Sequence, residues 1–438
     1  MPIPPSRAAR TKFVASLANW TRKCQGVGSS AGAVGLAGAE NEERQQALQA
    51  QRLIEQADAY LSACVRAALG GEAAPAWPAA WDDGAVHQLL AARIGFHGIA
   101  VLLGEMPDAL ADWPQPVADA VREEMRLAAL WEATHRAQLV PLLARMAAAN
   151  IPAMVMKGTA VAYLFYAQPA ARRRGDSDLL IHPSDLESTR ALLEDCGFQR
   201  RDDPWGLHFQ ETWEVACRSG IVHAVDLHWQ PADRPVLQGL LRAEWFWQDK
   251  VPVTGLAPGV HAPDPVMMLV HGAVNQAWHR ARGFNVEGDT VLGGRRLIWA
   301  VDYARIAASL SPSDWLRLAR FCEDHDAAAI VMAALAGAQC DLGLRVPPDI
   351  AERLARASDD SPTLAYINEP GVFREFLRDL AAAEDMATRW LLIRMLAFAP
   401  RSHLLRKYPE RAHWPTLLLQ LCRYFDGVRR RGRWSVGP

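Results

Sequence analysis

The sequence has no CxxC pair, and its seven cysteines (Cys24, Cys64, Cys196, Cys217, Cys322, Cys340 and Cys422) are odd in number and scattered. This argues against a disulfide framework and against a cysteine-built zinc site, so a reducing, cytoplasmic compartment is expected. Long apolar runs are missing too. The nearest candidate, Ala327 to Ala338, is too short to cross a bilayer, and no membrane partner is expected. Charge of one sign is lacking: 47 basic residues face 49 acidic ones, a net charge of −2 with histidine neutral. That argues against a generally basic nucleic-acid coat, while a local basic groove stays open. No HEXXH zinc motif, no assignable Ser-His-Asp or Cys-His constellation and no tandem repeat of solenoid length occurs. Gly288 to Arg296 lacks the lysine and Ser/Thr of a P-loop and reads as a flexible loop.

What is present suits a soluble chain of two or three domains. It has 438 residues, half of them apolar and 22% charged. Sixteen tryptophans point to a rigid aromatic core or to pockets. Residues 1–39 contain no acid and five basic residues, so 1–40 is expected to be a disordered tail, a transit-like signal being the alternative. Residues 41–150 read as a helical region. Its blocks are Asn41 to Leu69, Val86 to Leu103, and Val117 to Asn150 with a break at or near Pro141. From Ile151 to about residue 255 the texture becomes α/β. Ile151 to Gly158 looks like a buried strand, Thr159 to Tyr166 a helix, and Asp178 to His182 and Ile221 to Trp229 further strands. Ser184 and Glu187 have capping-box spacing for a helix to Cys196, which Gly197 would end. Residues 265–425 read as a C-terminal helical domain. Its helices are Pro265 to His279, Gly294 to Ala308, Ser313 to His325 (capped from Ser311–Ser313), Ala327 to Leu342, and Phe373 to Phe398. A basic tail, 426–438, carries four arginines between Val428 and Arg433 and reads as a solvated end or a contact to an anion. Helix should exceed strand by a wide margin.

The chemistry-bearing stretch is RRRGDSDLLI, residues 172–181. Strand alternation puts Asp176 and Asp178 on one face. Two adjacent carboxylates repel unless a cation lies between them, and magnesium favours such oxygen ligands together with substrate phosphates. A lone D-x-D is a weak signal, but it has two neighbours here. Lys157-Gly158-Thr159 follows an apolar strand and opens a helix, where backbone N–H groups can receive phosphate. Asp226 lies in the strand IVHAVDLHW, on a face shared with Val222, Ala224 and His228 and opposite to His223. A carboxylate in such a strand needs a partner.

Together these elements resemble the nucleotidyltransferase superfamily typified by DNA polymerase β. The chain is more closely similar to an uncharacterised bacterial nucleotidyltransferase family. The residues that carry the likeness are MKG (156–158), Arg172, GDSDLLI (175–181) and VDLHW (225–229), with HGAVNQAWH and RRLIWAVDYARI downstream. Gly158-Thr159 stands where the superfamily turn usually has Gly-Gly or Gly-Ser. The resemblance implies an α+β, predominantly helical chain with a small mixed-sheet core. It implies transfer of a nucleoside monophosphate from an NTP, with release of pyrophosphate. Asp176, Asp178 and Asp226 would then hold two magnesium ions (manganese being an alternative). Gly158 and Thr159 would bind phosphate, and Arg172 and Lys157 would neutralise its charge; for Lys157 a snorkelling strand-end lysine is equally admissible. The acceptor, a small molecule, peptide or protein rather than RNA, is not legible.

Weaker signals remain. His271, Asn275 and His279 share a helix face; satisfied structural histidines are preferred, and an acceptor pocket lined by His228, His271 and His279 is the functional alternative. His228 is expected to orient a neighbouring acid. Asp302 should cap a helix or pair with an arginine. Rival functions are nucleotide addition to RNA and a catalytically silent nucleotide-binding scaffold.

Overall fold

A computed structural model of the chain describes residues 36–201, 209–217, 220–286, 289–291, 295–369 and 371–433. The expected N-terminal tail lies outside these residues up to position 35. So do parts of the loop at 288–296 and the last five residues of the basic tail. The fold is α+β and mostly helical, 66% helix with one seven-stranded mixed sheet. Contacts divide the chain into two units. Of the described residues, the first unit holds those up to Leu127, with Trp278–Val301 and Gly337–Leu344. The second holds Ala128–Ala277, Asp302–Ala336 and the chain from Arg345 onward.

In the first unit, part of the tryptophan content forms a core. Trp77, Trp81 and Trp113 surround Tyr60, with ring centroids 5.3 to 5.9 Å from it, an edge-to-face and tilted arrangement that aromatic quadrupoles favour. A second anchor is His97, whose ring joins Asp58 at 2.8 Å on one nitrogen and the Leu297 N–H at 3.1 Å on the other.

Several helices follow the apolar periodicity, and four expectations fail for local reasons. The block from Val86 to Leu103 is two helices, Gly84–His97 and Ala100–Gly104. Gly98 separates them in the left-handed conformation (φ 70°), with its N–H on the Ile94 carbonyl. Conversely, Gln115–Ala148 runs through Pro141 without a break. A proline there removes one backbone bond, and the buried row Leu139, Leu142, Leu143 and Met146 holds the helix together across it. The capping box at Ser184 does not form. Pro183–Asp185 makes a 3-10 turn, the helix Leu186–Asp195 starts after Asp185, and Glu187 pairs with Arg190 instead. Phe373 to Phe398 is also two helices, Val372–Ala382 and Met386–Ala397, because Asp385 caps the second through the Thr388 N–H. Gly197 does end its helix (φ 83°), and Ser311 forms a reciprocal capping box with Asp314.

The sheet belongs to the second unit. Its strands are β1 (Ala153–Val155), β2 (Asp176–Leu180), β3 (Gln199–Arg200), β4 (Gln210–Ala216), β5 (Val222–His228), β6 (Val251–Pro252) and β7 (Val260–Ala262). Their order is β3-β4-β5-β2-β1-β7-β6. β2 runs parallel to β5, β1 runs parallel to β7, and the other neighbours are antiparallel. Leu179, Leu180, Val225 and Leu227 bury the centre. The 48 residues that separate Asp178 from Asp226 in sequence are bypassed by that one parallel pairing.

Candidate active site

The register of β2 and β5 sets Asp178 directly beside Asp226 and Asp176 beside Ala224. Paired residues in adjacent strands point to the same face, so Asp176, Asp178, Asp226 and His228 share one side of the sheet. Ser177, His223 and Val225 take the other. The strand order thus brings together the three acids that the sequence singled out.

Asp178 is the centre of this face. It is buried, and its Oδ1 accepts from Lys157 Nζ at 2.5 Å and meets His228 Nε2 at 2.9 Å. Burial alone would raise its pKa; the Lys157 ammonium and the His228 hydrogen bond outweigh burial and hold the carboxyl well below the usual carboxylate range. For Lys157, burial acts downward and the charges of Asp178, Asp176 and Asp226 act upward more strongly, so the ammonium stays protonated. Asp176 stands at the exposed start of β2. Crowding by protein, then the charges of Asp178 and Asp226, push its pKa up to about 6. Asp226 is also raised, by burial and then by Asp178, against a 2.7 Å hydrogen bond donated by Thr212. Three carboxylates thus crowd one face around a single ammonium, and the upward shifts of Asp176 and Asp226 show negative charge that a further cation would relieve.

The donor chemistry suits a cation. One ligand atom each from Asp178, Asp226 and His228 lies within 4.8 Å of the others, and this trio is the one metal-sized cluster among the described residues. His228 Nδ1 is buried and without a hydrogen-bond partner. The sequence had set His228 beside an acid; the geometry adds it to the carboxylate pair, while Asp176 falls outside the tight trio.

Lys157 opens the helix Lys157–Phe165 in an unusual way. Its φ is +46°, a region that L-residues rarely adopt. Met156 at the N-cap gives the helix no side-chain cap, so the leading N–H groups at Gly158 and Thr159 depend on another partner. The Thr159 side chain is buried, and its hydroxyl meets Ser177 Oγ at 3.4 Å; the backbone N–H is what Thr159 can offer a phosphate. At Gly158 an added Cβ would lie 3.4 Å from the Arg172 guanidinium, so the absent side chain lets the arginine cover the turn.

Arg172 is itself buried and paired. Its Nε and Nη2 reach the Asp302 carboxylate at 2.8 to 3.1 Å, and Tyr166 donates to the same carboxylate at 2.8 Å. Asp302 therefore takes the arginine-pairing role expected of it. On the far face of the sheet lies a network that the sequence reading missed. Ser177 bonds His135, Arg174 bonds Glu132 at 2.7 Å, and Tyr163 donates to Glu132 at 2.5 Å. Trp131 stacks on His135 at 4.6 Å, and His223 lies 6.0 Å from the His135 ring. The one available signal was alternation, which puts Ser177 opposite the acids and demands a partner for it.

His271 is buried against Phe246. Burial and then the Lys157 charge push its pKa down to about 3, so it is a neutral ring in the surroundings of Lys157 and Asp178. His279 falls in the other unit, where its ring lies parallel to Trp299 at 6.4 Å and its Nδ1 is 3.3 Å from the Gly283 carbonyl.

The model of a family described as uncharacterised nucleotidyltransferase matches residues 84–343, more than half of the chain. Comparison with curated proteins gives no match, and comparison with solved structures gives none. The matched span contains the acids of β2 and β5, the Lys157 turn and Asp302. On that match the chain belongs to the uncharacterised nucleotidyltransferase family, and it is a transferase enzyme.

Proposed function

We propose that the protein is a magnesium-dependent enzyme that moves a nucleoside monophosphate from an NTP to a hydroxyl or similar group on a small molecule, peptide or protein, with pyrophosphate as the other product. The observation that carries this reading is the side-by-side register of Asp178 and Asp226, with His228 and Lys157 both on Asp178.

Asp178 and Asp226 would hold divalent magnesium or manganese, with Asp176 at the solvent side for a second ion and His228 fixing the Asp178 carboxylate. Bound metal supplies charge neutralisation for the attacking and leaving oxygens of an in-line displacement. Asp226, beside Asp178 on the parallel strand, is the residue assigned to lie nearest the acceptor and to help deprotonate its hydroxyl. The N–H groups of Gly158 and Thr159 would bind the triphosphate at the helix N-terminus. Lys157 would move from Asp178 to a phosphate oxygen when metal neutralises the carboxylates. Arg172, held by Asp302, positions the Gly158 turn and adds positive potential to it. Residues 151–255 form the proposed catalytic core, and a cytoplasmic location follows as an expectation from the scattered cysteines.

The test is NTP-dependent calorimetry in magnesium, on wild type and on the Asp178→Asn/Asp226→Asn double variant. The expected result is binding of at least one NTP that the double variant loses by roughly a hundredfold or more. Equal binding by both proteins, or no binding by folded wild type at millimolar NTP, would sink the reading.

A further inference from the structure

The region after Asp385 has a property that the catalytic site does not use. Residues 386–433 contain eleven arginines and lysines against two acids, Glu410 and Asp426, in a chain whose total charge is −2. The rest of the chain is therefore strongly acidic, and the positive charge is concentrated here.

The same region exposes its apolar side chains. The helix Thr416–Arg433 turns Leu419 into a small core with Ala399, Leu404 and Tyr408. Its other sides leave Leu417 71%, Leu421 42% and Phe425 68% exposed. Just upstream, the helix Met386–Ala397 buries Leu392 and leaves Trp390 66% exposed, and Phe398 after it is 70% exposed. A helix that is apolar on both its packed and its open sides has more greasy surface than its own core consumes. Between these residues in sequence come Arg394, Arg401 and Lys407, all exposed. Arg401 is held by the carbonyls of Ala412 and Trp414 and by the Thr416 hydroxyl, partners that leave its charge intact.

We propose that this C-terminal surface docks on a membrane leaflet rich in anionic lipid, lying in the interface without crossing it. Among the described residues no helix is long and apolar enough to span a bilayer, so the proposed contact is a peripheral one and revises the expectation that a membrane plays no part. Exposed aromatic and aliphatic groups interleaved with arginines are what a headgroup layer accepts: rings and leucines enter the acyl boundary while cations stay with the phosphates. The charge also selects against the other occupants. A second copy meeting the same region would set the exposed cations Arg394, Arg401 and Lys407 against themselves. The segment 1–39, with five basic residues and no acid, carries the same sign. Single-stranded nucleic acid would satisfy the arginines and stack on the rings, but it gives no apolar partner to Leu417 or Leu421.

The experiment is vesicle cosedimentation of the full chain at moderate salt. One set of vesicles is pure phosphatidylcholine, the other contains roughly 30 mol% phosphatidylglycerol. Three proteins are compared: wild type, Trp390→Ser/Phe398→Ser/Phe425→Ser, and Arg394→Gln/Arg401→Gln/Lys407→Gln. All changed side chains are exposed, and circular dichroism checks the fold of each variant. Wild type should pellet with the anionic vesicles only, and each triple variant should bind them at least about tenfold more weakly. Absence of wild-type pelleting, or unchanged binding by both variants, overturns the proposal. So does a concentration-dependent dimer that the serine variant abolishes, which would make a second copy the occupant. Capture by a mixed-sequence oligonucleotide that anionic vesicles fail to displace would assign the surface to nucleic acid and overturn it equally.

Discussion

Lys157 Nζ lies 2.5 Å from Asp178 Oδ1, so the ammonium at the start of the helix Lys157–Phe165 neutralises the carboxylate on which the acidic face is centred. The same charge opposes the repulsion between Asp178 and Asp226. This relationship makes the stability of the protein depend on what cation is near.

Lys157→Met keeps the bulk of the side chain and removes its charge. In the presence of a chelator the variant should lose about 2 kcal/mol, below the range for a fully buried pair because Lys157 is partly exposed. Millimolar magnesium should restore most of that loss, since a divalent ion between the carboxylates replaces the ammonium. Thermal unfolding with and without magnesium reads both terms. A variant whose midpoint is equally low in both conditions would show that no divalent ion binds there.

His228→Phe preserves ring packing and removes Nε2 from Asp178. Magnesium affinity should fall about 10- to 100-fold, the range for losing a group that orients a ligand. Calorimetric titration of magnesium into the free protein measures it without any need for the acceptor. Unchanged affinity would reduce His228 to a packing residue.

Arg172→Ala leaves Asp302 buried without its ion-pair partner. The loss should be about 3 to 5 kcal/mol, and Arg172→Met/Asp302→Leu should lose less than the single change because no charge is stranded. Urea denaturation of the two variants decides between them. If the double variant is the less stable, the pair matters for more than mutual neutralisation.

His135 gives the pH dependence. Burial, then the Arg174 charge, push its pKa down to about 2, while the unfolded chain holds it near the ordinary histidine value. The unfolded state therefore binds the proton first, and stability falls as pH drops from about 6.5 toward the folded value. Between about pH 7 and pH 5 this one ring should lower stability by about 2 kcal/mol. His135→Gln, which retains a polar group opposite Ser177, should flatten that part of the profile. An unchanged slope would mean that His135 is already neutral in the unfolded chain or charged in the folded one.

The acidic pair Asp176 and Asp178 was readable because strand alternation is a local rule. Convergence with Asp226 was not, because it depends on β5 lying next to β2, and sheet order is set by packing of the whole core. β4 escaped notice for a related reason. Its residues Gln210 to Ala216 place Glu211 on the buried side, where Arg190 neutralises it, so the strand shows no clear apolar alternation. The fine boundaries failed where a single residue acted locally: Gly98 and Asp385 each ended a block that periodicity had run together. At Pro141 the opposite happened, and burial of its neighbours overrode a strong local signal. The family likeness rests on short motifs with fixed spacing, which is why it is legible in the sequence alone.

The backbone at Lys157 also bears on how such a chain is tuned. With φ at +46°, the position suits glycine, and a β-carbon there costs on the order of 1 kcal/mol. Glycine at 157 would relax the backbone but strand the buried Asp178 carboxylate without its ammonium, and that loss of about 2 kcal/mol exceeds the gain. Lysine at this position thus holds a strained backbone in place by charge: a Lys157→Gly protein would be easier at the backbone, yet less stable and a poorer holder of negative charge.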